Sequence, residues 1–120
     1  FNSELKLRNK IANYYNEKIN SQFQKPYVPE KYFSSWAQYS VLAKSEDHKN
    51  KIMLSLENSD IPVMVYYKIP LHLQKCLNKL NYKLGDFPVS EDCSKRIFSL
   101  PMHPYLSKKD QDKIIGIINE

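Results

Sequence analysis

The seven prolines of this 120-residue chain limit the length of any regular element that it can form. Two of them lie in the polar residues 21–35, which are therefore predicted to form a loop. Pro70 interrupts an apolar run, and Pro101 and Pro104 stop another. Because proline has a fixed φ and no N–H donor, it breaks helices and strands when it enters their interior. The chain is expected to fold as short elements joined by proline-containing loops.

Helical periodicity and helix-start signals indicate five helices. The first has apolar side chains along one face. Ser45 is a predicted N-cap, and Pro88 suits the first position of a helix. Ser107 followed by Asp110 resembles a capping box. The predicted helices cover residues 4–20, 45–58 and 71–80, a stretch that begins at 88, and a stretch that begins at 107.

Three segments have the alternation or composition of strands. Residues 36–43 alternate between apolar and polar side chains, and residues 61–67 are rich in β-branched and aromatic types. Residues 96–100 form the third candidate. The resulting order α-β-α-β-α-α-β-α predicts one domain of the α+β class, residues 1–120. In it, a small three-stranded, mainly antiparallel sheet is covered by helices on one side.

The net charge of +5, from 18 basic and 13 acidic residues, raises the possibility of a polyanion-binding surface. The lysines are scattered, however, and Arg8 and Arg96 are the only arginines. This pattern favours solvated surface lysines over a nucleic-acid groove. No apolar stretch approaches the roughly 20 residues of a membrane span, so a soluble protein with no membrane partner is expected.

The cysteines and glycines exclude several kinds of site. Cys76 and Cys93 lack metal-site spacing and are expected to be buried, reduced thiols of a cytoplasmic protein, so no metal is predicted. Gly85 and Gly116 are the only glycines, which excludes a glycine-rich phosphate loop. The chain begins with Phe1 rather than methionine, and we expect a fragment of a longer protein.

Three motifs follow one another in the second half of the chain. They are Val-Tyr-Tyr-Lys-Ile-Pro-Leu-His-Leu-Gln at 65–74, Gly-Asp-Phe-Pro-Val-Ser-Glu at 85–91 and Ser-Leu-Pro-Met-His-Pro-Tyr-Leu at 99–106. With Arg8 and Tyr15 in the first helix, they closely resemble the C-terminal small domain of the DegT/DnrJ/EryC1/StrS family. The members of this family are sugar aminotransferases that depend on pyridoxal phosphate (PLP).

Three positions depart from the family pattern. Asp60 stands where the family has glycine, Val63 replaces a threonine and Lys68 replaces a proline. Aspartate accepts a positive φ less readily than glycine, and losing proline frees a backbone N–H. These departures leave the loop geometry and the choice of sugar open.

The resemblance implies the C-terminal domain of an aspartate-aminotransferase-like, fold type I enzyme. The whole protein would transfer an amino group, with glutamate as donor, to a keto-sugar nucleotide in amino-sugar and surface-polysaccharide biosynthesis. It would be a cytoplasmic homodimer that uses PLP. The Schiff-base lysine would lie upstream, so we assign no catalytic residue here and expect this fragment alone to be inactive. The alternative is a non-catalytic, basic α+β module that binds a polyanion or a protein.

The resemblance also supplies the substrate-binding candidates, Tyr66, Tyr67, Lys68 and His72. Adjacent residues of a strand point to opposite faces, so one tyrosine can lie in the core and the other in the cleft. The resemblance implies that Tyr66 is the cleft residue, unless both tyrosines are ordinary sheet residues. Lys68 would add a positive charge near the substrate. His72 would orient a sugar hydroxyl or phosphate; in the structural alternative it bonds a backbone carbonyl and pins the turn at Pro70.

The remaining polar residues are expected to have structural roles. His103 lies between prolines and is predicted to be a turn residue, and Asp86 to close a turn or cap the next helix. Glu91 and Asp92 occupy a first helical turn and diverge as neighbours, which makes them a poor acid–base pair. Trp36 is expected to pack in the core or an interface more often than to serve as a stacking platform.

Overall fold

The computed structural model describes residues 2–120. This range contains four α-helices and two β-strands, and two short 3₁₀ helices lie between α2 and α3. The elements are α1 (Asn2–Lys18), β1 (Tyr39–Leu42), α2 (Glu46–Glu57), the 3₁₀ helices Leu71–Leu73 and Lys75–Leu80, α3 (Pro88–Arg96), β2 (Ile97–Leu100) and α4 (Lys108–Ile118). The α+β class is confirmed.

The sheet has two antiparallel strands, with Tyr39 opposite Leu100 and Leu42 opposite Ile97. The prediction of a third strand over 61–67 is wrong. In that range only Met64 pairs with the sheet, and it exchanges two backbone hydrogen bonds with Ser99. Pro62 offers no N–H to a strand ladder, and the chain turns away at Tyr67, whose φ is +62°. The segment therefore pairs with the sheet through one residue, Met64.

The core lies where α1, α4 and the two strands meet. Tyr15, Tyr39 and Phe98 are fully buried, and the rings of Tyr15 and Tyr39 are 4.9 Å apart. Both phenols are satisfied, since Tyr15 donates to the Pro101 carbonyl and Tyr39 to the Asn16 side chain. Burial of large apolar rings with paired hydroxyls is the main source of stability in this part of the chain.

The helix caps form as the sequence predicts. Ser45 accepts a hydrogen bond from the His48 N–H, and Ser107 accepts one from the Asp110 N–H, each at 3.1 Å. Pro88 is the first residue of α3. Each of these signals acts within one helical turn, so it does not depend on distant parts of the chain.

The end of α2 explains the family's glycine at position 60. Asp60 has a φ of +59°, and the N–H groups of Ser59 and Ile61 both bond the Leu56 carbonyl. This is the left-handed helix ending for which glycine is usual. The aspartate therefore keeps the backbone conformation of a glycine, at some cost in strain.

Three further expectations need correction. Residues 71–80 form two 3₁₀ helices rather than one α-helix, because the backbone at Gln74 between them is extended. Cys76 is exposed and Cys93 partly buried, so the expected burial of both thiols is wrong, although both are free. Trp36 is buried, but with a φ of +49° it precedes β1 instead of opening the strand.

Candidate functional site

The chain from Tyr66 to Gln74 bends over α3 and encloses a cavity of about 450 Å³. Its lining is formed by two tyrosines, apolar side chains and small polar groups. These are Tyr66, Tyr67, Pro70, Leu71 and Gln74 from the bend, with Ser90, Cys93, Ser94 and Ile97 from α3 and the start of β2. An open cavity with phenol, amide and hydroxyl groups can bind a polar ligand that also has an apolar face.

The two predicted tyrosines lie side by side on this cavity. Tyr66 is 40% exposed and Tyr67 is 79% exposed. The expectation that they point to opposite faces is wrong, because they belong to a turn and not to a strand. Tyr66 also lines a second cavity of about 220 Å³, beside Met64 and His103. His103 is exposed and lies in a turn, as predicted.

His72 does not line the 450 Å³ cavity beside Tyr66 and Tyr67, which we name the tyrosine cavity. Its ring is buried, and Nε2 lies 3.0 Å from Oε1 of Glu91. The ring also packs against Phe87, with centroids 4.7 Å apart. The structural alternative therefore describes its surroundings best, with a carboxylate in place of the expected carbonyl. A direct contact of His72 with substrate stays a prediction.

Glu91 organises this part of the chain. Its carboxylate accepts hydrogen bonds from the Gly85 N–H at 2.8 and 3.0 Å and from the Phe87 N–H at 3.3 Å, besides its contact with His72. Gly85 has a φ of +96°, a conformation that side chains disfavour. Burial raises the pKa of Glu91, but the N–H groups of Gly85 and Phe87 and the His72 imidazole outweigh this and lower the pKa.

Sequence reasoning placed Glu91 in a first turn and did not find this network. The available signal was the position of Glu91, which follows the Gly-Asp-Phe-Pro turn by one helical turn. A carboxylate at this position can accept hydrogen bonds from the N–H groups before the helix, as in a capping box. We name the group Glu91, His72, Gly85 and Phe87 the carboxylate clasp. It ties the start of α3 to the 3₁₀ helix that contains His72 and to the turn at Gly85.

The neighbouring acids have structural roles, of which that of Asp86 was predicted. Asp86 accepts a hydrogen bond from the Lys83 N–H at 2.8 Å and so closes its turn. Asp92 points away from Glu91 and pairs with Arg96, which lowers the pKa of Asp92. Arg96 in turn donates to the Ala43 carbonyl at 2.7 Å, which links α3 to the end of β1.

Among residues 2–120, no group of three or more His, Cys, Asp or Glu side chains is placed to hold a metal ion. The tyrosine cavity has neither a lysine nor an acid in its lining. No helix in this range is both long and apolar enough to span a bilayer.

Comparison with solved structures shows that the chain corresponds to one domain of an aminotransferase. A crystal structure of a DegT DnrJ EryC1 StrS aminotransferase from Brucella abortus is 44% identical, with a TM-score of 0.81 over 96% of this chain and 30% of that one. The PMP form of the sugar aminotransferase Spr1654 from Streptococcus pneumoniae shares the fold, with a TM-score of 0.88 at 24% identity, over 99% of this chain and 31% of that one.

The family's sequence profile matches residues 1–119. The chain therefore belongs to the DegT/DnrJ/EryC1/StrS aminotransferase family.

Two curated relatives show how much of a whole family member the chain represents. The UDP-2-acetamido-2-deoxy-3-oxo-D-glucuronate aminotransferase of Pseudomonas aeruginosa is 33% identical over 88% of this chain and 28% of its own length. The pleiotropic regulatory protein of Geobacillus stearothermophilus is 37% identical over 69% of this chain and 22% of its own length. The chain thus spans between a fifth and a third of these relatives.

Proposed function

We propose that this chain is the C-terminal small domain of a PLP-dependent aminotransferase that acts on a nucleotide-linked keto-sugar. The observation that carries the proposal is the family match over residues 1–119. The names of the relatives support it, since they include transaminases of UDP-linked and dTDP-linked sugars. The comparisons give no support to a stand-alone binding module.

In this proposal the chain forms one wall of the substrate cleft. The phenols of Tyr66 and Tyr67 would exchange hydrogen bonds with sugar hydroxyls or phosphate oxygens, while Leu71 contacts the apolar face of the ring. Exposed Lys68 adds a positive charge at the rim. The carboxylate clasp holds the turns next to this wall and so limits their motion. His72 acts through the clasp.

The rest of the machinery is assigned to the part of the protein outside this chain. When bound there, PLP supplies the electron sink of amino transfer. We assign the lysine that carries it and the acid beside its ring nitrogen to the upstream domain. Glutamate as amino donor, a homodimeric assembly, amino-sugar biosynthesis for surface polysaccharide and a cytoplasmic location belong to the same proposal. The two free cysteines agree with a reducing compartment.

The absorption spectrum of the full-length gene product tests the reaction. Purified with PLP, the protein should bind the cofactor, and glutamate should convert it from its aldehyde to its amine form. A folded full-length protein that binds no PLP, or that binds it and does not respond to any amino acid donor, would contradict the proposal.

Substitution of Tyr66 by Phe tests the substrate wall. Loss of the phenol hydroxyl should lower kcat/KM for the sugar nucleotide by about tenfold, because one hydrogen bond to substrate is lost. The glutamate-dependent spectral change should not alter. Tyr27→Phe is the matched control, since Tyr27 is 83% exposed in the loop before β1 and does not line the tyrosine cavity. Equal kcat/KM values for the two variants would remove Tyr66 from the site.

A further inference from the structure

A separate polar cavity, of about 260 Å³, lies between α2 and α3. Three lysines line it, and each comes from a different part of the chain: Lys49 from α2, Lys68 from the bend and Lys95 from α3. Glu46 is the only acid in the lining. Three positive charges and one negative charge give this cavity a net charge of +2. We name it the lysine cavity.

Lys49 is unusual because its side chain is largely buried while its ammonium group has no partner within residues 2–120. The residue is 8% exposed, yet within residues 2–120 its Nζ makes no hydrogen bond and no ion pair. Buried lysines are normally paired, because an ammonium group loses its hydration when it is buried. No fully buried polar side-chain atom in this range lacks a hydrogen-bond partner, so Nζ still reaches solvent. Lys49 lines the lysine cavity, and its ammonium group reaches solvent there.

Lys68 and Lys95 are exposed, and neither forms an ion pair within residues 2–120. Three like charges thus line one cavity, and an anion bound among them would reduce the repulsion between these charges. A water molecule occupies about 30 Å³ of the liquid, so the cavity has room for a phosphate group. Lysine binds phosphate as a point charge through its three N–H donors.

We propose that the lysine cavity binds a phosphate group, with Lys49 as its fixed cation and Lys68 and Lys95 as mobile ones. Lys68 directly follows Tyr67 in the chain, and Ser94 lines both the lysine cavity and the tyrosine cavity. A phosphorylated ligand can therefore lie across both. The step from a phosphate group to the diphosphate of a nucleotide-linked sugar rests on the function proposed above.

Calorimetric titration of the full-length protein with inorganic pyrophosphate and, separately, with UDP tests the site. Lys49→Met retains most of the buried stem and removes the charge, and it should weaken binding by about tenfold. Lys68→Ala should weaken binding by about threefold, and it keeps the test valid if Lys49→Met does not fold, because Lys68 is exposed. Lys51→Met is the matched control, since Lys51 is exposed on the same helix and outside the cavity.

The two ligands distinguish the sources of the phosphate. If the Lys49→Met variant binds both pyrophosphate and UDP more weakly, the site recognises any phosphate group. If it binds only UDP more weakly, the site recognises the diphosphate of a nucleotide. If the native protein binds neither ligand, or if the Lys49 and Lys68 variants bind as the Lys51 control does, the proposal is wrong. These titrations need no amino donor, so a failed glutamate reaction would overturn the proposed function and leave this result standing.

Discussion

Two regions of this domain are held together by different forces. The framework, made of α1, α2, α4 and the two strands, contains the apolar core around Tyr15, Tyr39 and Phe98. In the exposed lobe, residues 62–90, Pro70 and His72 are the only buried residues. Hydrophobic burial stabilises the framework, whereas the lobe depends more on the carboxylate clasp, on turn hydrogen bonds and on the packing of Phe87 against His72 and Tyr82.

This difference separates global stability from local order. Segments with few buried apolar contacts open more readily than a packed core does. The candidate substrate wall lies in the exposed lobe, where a ligand or another domain can contact it. Substitutions in the framework should therefore act on the whole domain, and substitutions in the lobe should act on the turns around the wall.

The largest effect is expected in the framework. Phe98→Ala should lower the free energy of unfolding by about 3–5 kcal/mol, because it leaves a cavity in the packed core. Val89 is 76% exposed in α3 and supplies the control. Val89→Ala should change the free energy of unfolding by at most about 0.5 kcal/mol. Urea denaturation measures both variants. Similar losses for the two would contradict the division into framework and lobe.

Glu91→Gln should act locally. The neutral amide keeps an acceptor oxygen but loses the charge, so amide hydrogen exchange at Gly85 and Phe87 should become about fivefold faster. Exchange at Phe98, in the core, should change less. Asp92→Asn is a suitable control, since Asp92 bonds Arg96 and not the turn. Faster exchange throughout the domain would show that the clasp supports the framework as well.

The clasp should also respond to pH. The pKa of Glu91 is lowered in the fold from its usual value of 4.5, so its contribution is fully present above that value. The contribution is lost as the pH falls through the lowered pKa. Protection of the Gly85 amide, corrected for intrinsic exchange, should fall as the pH drops below about 4.5. In Glu91→Gln this pH dependence should be absent; protection that rises on acidification would contradict the assignment.

The smallest effect concerns the junction of framework and lobe. Asp60→Gly should raise the free energy of unfolding by about 0.5–1 kcal/mol, because glycine adopts the positive φ of this position without strain. Glu57→Gly, in the helical part of α2, should instead lower it by about 1 kcal/mol. Thermal unfolding of the two variants measures the contrast. Destabilisation by Asp60→Gly would mean that the aspartate side chain has a role of its own.

Features that depend on a few neighbouring residues were predictable. The N-caps at Ser45 and Ser107 and the helix start at Pro88 each act within four residues. The amphipathic pattern predicts α1, and the motifs at 65–74, 85–91 and 99–106 identify the family, which the match over 1–119 confirms. The sequence by itself thus determined the four α-helices, the α+β class and the family.

Features that join distant residues were decided by the tertiary structure. The segment 61–67 has the composition of a strand, but the left-handed backbone at Tyr67 and the lack of a partner beyond Ser99 prevent one. His72 meets Glu91 across 19 positions of chain. Lys49 joins Lys68 and Lys95 only after α2 and α3 pack together. Periodicity reports which face of an element is apolar, but the partner of a polar group is chosen by packing, which brings separate segments within bonding distance.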